Sequence, residues 1–467
     1  MPLEWQHAST DWGQEMQRFA LGWIAGLVLL GHGAWVAAAD PWEATPASLT
    51  ERQLPSLVKY YEALHADPEL SRMEAHTSAD LARELRSAGF EVTEHLGQYT
   101  VPGQQGYGVV GVMRNGAGPT VLIRADMDAL PVEEQTTLPY ASHKRMAGST
   151  GGNYPVMHAC GHDVHVTSMV GVARVLAALR DRWHGTLMLV GQPAEETIDG
   201  ANALVRGGLY DRFPTPDYAL ALHSTSSIPA GTIGVVSGFA LATSTSMDVT
   251  VRGVGGHGSR PEETRDPVVL AANIVMQLQT VVSREISPFD PSVLTVGSIH
   301  GGTKRNIIPE EVKLELTMRT YNETTRQHMI QAVARIARAA ALGADVPEDR
   351  LPLVRVIETE QAPALYNDPA LVSRLKPALV NALGEANVRE FPRIMGSEDF
   401  GNLGLDGKIP VSLFWLGVSD PARAAEAART HEPLPNIHSA LYAPVPAPTL
   451  RTGVIAMSAA ALALLGH

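Results

Sequence analysis

The chain is predicted to be an α/β protein: a mainly parallel sheet flanked by helices, interrupted by an inserted α+β unit of ferredoxin-like order. Three observations predict this. Short apolar runs alternate with stretches of helical spacing through the first half of the chain, the pattern of a parallel sheet covered by helices. From about Leu241 the texture changes to strict apolar/polar alternation in the order β-α-β-β-α-β. At 467 residues, the chain is also too long for one compact core.

In chain order, residues 49–65 carry helical spacing, and Asp67-Pro68 marks a stop. A second helix is expected over 78–87, ended by Gly89, before a strand that begins at Phe90. Runs at 109–113 and 120–123 read as strands separated by the turn NGAGP, and Asp126 and Asp128 follow the second. In open α/β sheets, that carboxyl edge is where ligands bind. A helix over 166–179 leads to a buried strand at 186–190, which ends in Gln192-Pro193-Ala194-Glu195-Glu196; another strand at 218–222 ends in His223. Within the insert, strands are expected at 246–251, 293–299, 312–319 and 354–358, and helices at 267–284 and 325–341. The chain then returns to the first unit and closes in an Ala/Leu-rich helix from Leu450.

The partition is therefore 1–39 as a leader, 40–240 and 362–467 as the two parts of the first domain, and 241–361 as the insert. Phe19 to Leu30 is uncharged and apolar, preceded by Arg18 and followed by Ala37-Ala38-Ala39, a small-x-small cleavage pattern. The expectation is an exported protein, periplasmic or secreted. The alternative is a retained anchor, since Phe19 to Ala39 is long enough to cross a bilayer. No other segment reads as membrane-spanning, so none is expected in the membrane after cleavage. A net charge of −13 leaves no basic footprint, which excludes nucleic acid as a partner.

The run Met157-His158-Ala159-Cys160-Gly161-His162-Asp163-Val164-His165 contains the chain's single cysteine. One cysteine cannot form an intramolecular disulfide, and a free thiol is a liability in an oxidising compartment unless it is buried or bound to a metal. A thiolate and an imidazole two residues apart on a glycine turn can reach one metal ion or two adjacent ones. Glu195-Glu196, His223 and His438 follow, each near the end of an apolar run. The constellation points to metal-dependent hydrolytic chemistry.

Together, MHACGHDVH, DMDALP, QPAEE, ALH, GGHGS with nearby Pro261, GGTKRNIIP, GSEDF and NIHSALY resemble the M20 metallopeptidase family. They are most similar to its branch of amidohydrolases that act on N-acyl amino acids, hippurate and auxin conjugates. The resemblance runs in order over essentially the whole chain after residue 45. It implies a di-metal catalytic domain with an inserted lid or dimerisation domain, and hydrolysis of an N-acyl or N-aroyl amino acid to a carboxylic acid and an amino acid. An M20-type dipeptidase or carboxypeptidase, acting on a short peptide, is the alternative; an inactive periplasmic metal- or ligand-binding protein is a third reading. Carried over by position, the metal ligands are Cys160, His162, Glu196, His223 and His438, with Glu195 as general base. In this reading His257 stabilises the oxyanion, Asn306 and Arg319 contact substrate, and the resemblance also implies a homodimer through the lid.

 In such a homodimer the active site that His257 reaches can be that of the partner subunit.

One departure from the family stands out. Thr197-Ile198-Asp199 follows the Glu pair where the family usually has glycines, which bears on the shape of the pocket. Arg124 stands where an H-x-D motif would begin in other branches, and Cys160 with His162 looks like the replacement pair. One sulfur, three nitrogen and one oxygen donors suit two divalent ions per subunit of borderline character. Zn²⁺ is the default because of the thiolate, with Mn²⁺, Co²⁺ or Ni²⁺ as alternatives. Neighbouring side chains diverge at a strand end, so Glu196 can bind metal while Glu195 faces the attacking water. Asp128 is expected to orient a metal-bound histidine, with a ligand or a helix cap as its other readings. His158 and His165 are expected to pack or hydrogen-bond, and Glu398 to lie near the site. Lys304-Arg305 reads as a pair of solvated charges.

Overall fold

The computed structural model describes residues 44–101, 103–148 and 151–466. The leader expected over 1–39 lies outside the described residues. An eight-stranded sheet forms the larger part, in the order Glu91–Leu96, Gly108–Asn115, Gly185–Gln192, Thr120–Asp126, Tyr218–Pro229, Val411–Ser419, Ile233–Val235, Val388–Glu390. The central pairings, from Gly185–Gln192 through Val411–Ser419, are parallel. Every residue of Thr120–Asp126 and of Val411–Ser419 is buried, which is why these strands read as continuous apolar runs.

On one face, the helices Pro46–Ala66, His162–Ala178, Pro369–Leu383 and Pro446–Leu464 enclose a core that includes Leu57, Val170, Leu375 and Val454. The other face packs Leu204, Leu241, Phe400 and Trp415. The first helix begins at Pro46, earlier than the expected 49, because Thr45 caps it: its hydroxyl accepts from Ser48 N at 3.1 Å. The second begins at Ala75 rather than 78. The buried carboxylate of Glu69 accepts from the N–H groups of His76 and Thr77 and so satisfies its first turn.

The closing helix corrects one expectation. Pro446–Leu464 is the one described helix long and apolar enough to cross a membrane, although the sequence reading found no such segment after the leader. It is mostly buried, against Pro46–Ala66, His162–Ala178 and Pro369–Leu383. A helix apolar on nearly every side is what such a central position requires.

Between Ser244 and Ala362 lies a separate four-stranded antiparallel sheet, in the order Ser292–Gly301, Glu311–Thr320, Ser244–Arg252, Leu353–Ala362. Helices Pro267–Thr280 and Glu323–Gly343 pack on it over their own core, which includes Val249, Leu270, Ile274, Leu314 and Val333. The first of these helices was expected to run to 284; a π-helical turn replaces its last residues, Val281–Glu285. Where the two parts of the chain meet, Thr243 N donates to Thr320 O at 2.7 Å and Tyr321 Oη to Ile394 O at 2.7 Å.

Candidate metal centre

Cys160 and His162 are delivered by a left-handed turn. Gly161 has φ +80° and caps the helix His162–Ala178, and a Cβ there would come 2.5 Å from Ser224 Oγ. His223 lies inside the strand Tyr218–Pro229, its Nε2 3.7 Å from Cys160 Sγ. Glu195 and Glu196 follow Gly185–Gln192 in a tight loop flanked by two non-glycine residues at positive φ, Ala194 (57°) and Ile198 (59°). Asp128 holds that loop: its carboxylate accepts from Glu195 N at 3.1 Å and Glu196 N at 3.0 Å. The late loop is tied in by His438 N donating to Ala159 O at 2.7 Å, and it places His438 Nε2 3.4 Å from Glu196 Oε2.

The structure thus brings together Cys160, His162, Glu196, His223 and His438. Their donor atoms form two groups, Cys160–His162–His223 and Cys160–Glu196–His438, each with its atoms within 4.8 Å of one another and sharing the sulfur. Glu195 stands beside them, its Oε2 3.8 Å from His162 Nε2.

The donor set fits a metal. His162 Nδ1 lies 2.7 Å from Asp128 O and His223 Nδ1 2.9 Å from Ser224 O, so each Nδ1–H donates to a carbonyl and Nε2 is the nitrogen left for a metal. Among the described residues, the buried His162 Nε2 and Glu196 Oε1 have no hydrogen-bond partner. Such atoms are costly to leave unpaired, and a cation would satisfy both.

Electrostatics favour the same ligand. Burial, with Glu196 and Glu195 close by, pushes the Cys160 thiol well up. Burial raises Glu196 to about 7 in spite of His162. Burial, Glu398 and Glu196 raise Glu195 well above the usual carboxylate range. Burial, reinforced by His165, lowers His223 to about 3. His162 goes the other way: burial opposes its charge, but Asp126, Asp128 and Glu196 raise it to about 10. A buried site crowded with acids lacks positive charge.

Several supporting residues were only partly visible in the sequence. Ser224 N donates to His165 Nε2 at 2.9 Å, so the protonated Nδ1 of His165 donates to Asp126. Asp126 also accepts from Arg124 Nη1 at 2.6 Å. Arg124, fully buried, reaches Glu398 at 2.7 Å and Asp399 at 3.3 Å. Glu398 is therefore a buried partner of Arg124 that also accepts from Phe400 N, at 2.9 Å. Asp128 does more than orient a histidine, since it also holds both glutamates. The His158 ring is buried with neither nitrogen hydrogen-bonded among the described residues, and burial lowers it to about 4. Glu74, unremarked in the sequence, accepts from Ala194 N at 2.9 Å and steadies the glutamate loop from below.

His257, Asn306 and Arg319 are not joined to this cluster. His257 is exposed on the short pairing of Gly256–His257 with Ile307–Ile308, and its Nδ1 accepts from Ser259 N at 3.1 Å. Asn306, also exposed, accepts from Gly258 N at 2.9 Å through its carbonyl. Arg319, on Glu311–Thr320, is half-buried, and its Nη1 has no partner among the described residues.

A parallel sheet whose strand ends converge sulfur, imidazole and carboxylate donors defines a metal-dependent hydrolase of the α/β class. The chain belongs to the peptidase family M20/M25/M40, whose pattern matches residues 122–442. It is 33% identical to the hippurate hydrolase of Campylobacter jejuni over 73% of this chain and 83% of the relative. It is 34% identical to thermostable carboxypeptidase 1 of Saccharolobus solfataricus, over 77% of this chain and 85% of the relative. Among solved structures, it resembles the YXEP protein of Bacillus subtilis, described as a dinuclear metal-binding peptidase of the M20 family. There the TM-score is 0.68 at 25% identity, over 89% of this chain and 99% of the other.

Proposed function

We propose that the protein hydrolyses the amide bond of N-acyl or N-aroyl amino acids, using two divalent ions held by Cys160, His162, Glu196, His223 and His438. The observation that carries this reading is the convergence of those five donors beside a buried Glu195. Relatives named for acyl-amino acid hydrolysis support the substrate class. Bound there, the cations would supply a water of lowered pKa and polarise the scissile carbonyl. Glu195 takes the proton of the attacking water and passes it to the departing nitrogen. Asp128 keeps Glu195 and Glu196 in place through their backbone N–H groups.

The thiolate favours Zn²⁺, with Mn²⁺, Co²⁺ or Ni²⁺ as alternatives. Association of two chains through the insert, export through the leader, and roles for His257, Asn306 and Arg319 belong to the same proposal. Sedimentation, N-terminal sequencing and substitution test them in turn. A carboxypeptidase is the second reading, favoured by the relative named for that activity. A panel of hippurate-like substrates against dipeptides and longer peptides, with metal-loaded protein, separates the two. Faster cleavage of the acyl-amino acids supports the first reading, and cleavage of peptides alone overturns it.

A further inference from the structure

The glutamate loop departs from related chains at Thr197-Ile198-Asp199, and its backbone is strained there. Ile198 has φ +59°, a left-handed conformation that a β-branched side chain rarely adopts and that persists only where the surroundings enforce it. Asp128 grips the front of the loop alone, through the N–H groups of Glu195 and Glu196. The back is gripped by Asp199. Its Oδ1 accepts from Thr197 Oγ1 at 2.8 Å, and its Oδ2 accepts from Arg72 Nη2 at 2.7 Å. Arg72 is itself fixed: its own φ is +66°, its N–H donates to Glu74 Oε1 at 2.7 Å, and its guanidinium lies 5.4 Å from the centre of the Tyr99 ring. The same Glu74 oxygen accepts from Ala194 N at 2.9 Å, so two loops that each carry left-handed residues are fastened to one another.

Asp199 stands at the N-cap of the short helix Gly200–Arg206, where an aspartate ordinarily accepts from the first turn. Here its side chain makes no such bond among the described residues. Asp399, from far along the chain, accepts from Ala201 N at 2.9 Å instead. Asp199 is thereby left to face Arg72. With side chains 24 % and 7 % exposed, Arg72 and Asp199 are largely shielded from screening by solvent. Resting on the function proposed above, we infer that Asp199 and Arg72 are positioning residues: their ion pair keeps Ile198 left-handed and so holds Glu195 and Glu196 at the metals. Glycines, which related chains carry at this place, take that backbone without strain and need no such clasp. When the pair is lost, Ile198 relaxes towards negative φ, the loop turns, and both carboxylates leave their places; a shift of that kind is enough to slow chemistry.

Asp199→Ala and Arg72→Met each remove one half of the pair. With N-benzoylglycine as substrate, each should lower kcat of the Zn²⁺-loaded enzyme by about 10–100-fold and leave KM within about twofold. Each should also weaken Zn²⁺ binding about tenfold in competition with a chelator. Adding Ile198→Gly to either variant should bring both quantities back to within about threefold of the parent, because glycine holds a positive φ unaided. A general loss of stability would not be repaired by that glycine, and circular dichroism checks that the variants compared are folded. Parental kcat and Zn²⁺ affinity in Asp199→Ala and Arg72→Met overturn the assignment, and so do losses that Ile198→Gly leaves uncorrected. If the parent cleaves no acyl-amino acid of the hippurate-like panel, the proposed function falls, and the Zn²⁺ affinities alone decide the positioning role.

Discussion

The five candidate ligands and the three insert residues were read from the same set of motifs, yet the structure treats them differently. Cys160, His162 and His223 are buried at the ends or inside of core elements, and Glu196 lies just beneath the surface. His257 and Asn306 are exposed on a loop of a separate sheet, held mainly by backbone pairing with their neighbours. His438 is exposed like the insert residues, but its loop is tied by backbone to Ala159, so the donors held by Asp128, Ser224 and Ala159 form a site before any substrate arrives. Exposed donors on an insert contribute only when a neighbouring surface or a closing motion brings them to the substrate. Metal retention and turnover should therefore respond to different residues.

The largest expected effect separates chemistry from metal binding. Glu195→Gln should lower kcat by about 10²–10⁴-fold with metal content unchanged, because only the proton carrier is lost. Full activity in that variant would break the assignment of Glu195. On the other side of the comparison, His257→Ala should cost about 10²–10³-fold in kcat, the range for one oxyanion donor, with metal content and melting temperature unchanged. A loss of bound metal would place the insert inside the metal site. Asp128→Asn probes the support beneath the ligands, and should weaken metal binding by about 10–100-fold by competition with a chelator.

The smallest effect concerns a region that neither binds metal nor closes over substrate. His65 lies buried between Asp163, at 2.7 Å, and Glu134, at 3.2 Å, and so links the first helix to the metal-bearing one. Burial opposes its charge, but those two carboxylates raise it to about 9. Its folded value exceeds the unfolded value of about 6.5, so its stabilisation is complete below that pH and is lost as pH rises through 9. In the metal-free protein, the melting temperature should fall across that window, and His65→Gln should remove the slope. An identical slope in the variant would assign the titration elsewhere.

Most of the site was legible because metal ligands must be of few residue types and are expected where strands end. All five ligands met the first condition, but only the glutamate pair met the second: Cys160 and His162 flank a helix-opening turn, His223 lies within its strand and His438 in a late loop. The supports were harder to see. Nothing local tells that Arg124 pairs with Glu398, 274 residues away, or that Asp128 would accept from two consecutive N–H groups of a distant loop. The insert's strands were plain because only one face is buried: Glu311–Thr320 buries alternate residues along its length. The closing helix was misjudged for the opposite reason. Composition alone does not distinguish a helix buried in protein from one buried in lipid, and Pro446–Leu464 is wrapped by three other helices.

The account rests on one sulfur shared by two groups of donors. Elemental analysis of purified protein, metal-loaded and then dialysed, tests this most directly. The parent should carry two equivalents of divalent metal per chain, and Cys160→Ala should carry one or none while keeping its fold by circular dichroism. Two equivalents retained by Cys160→Ala would contradict it.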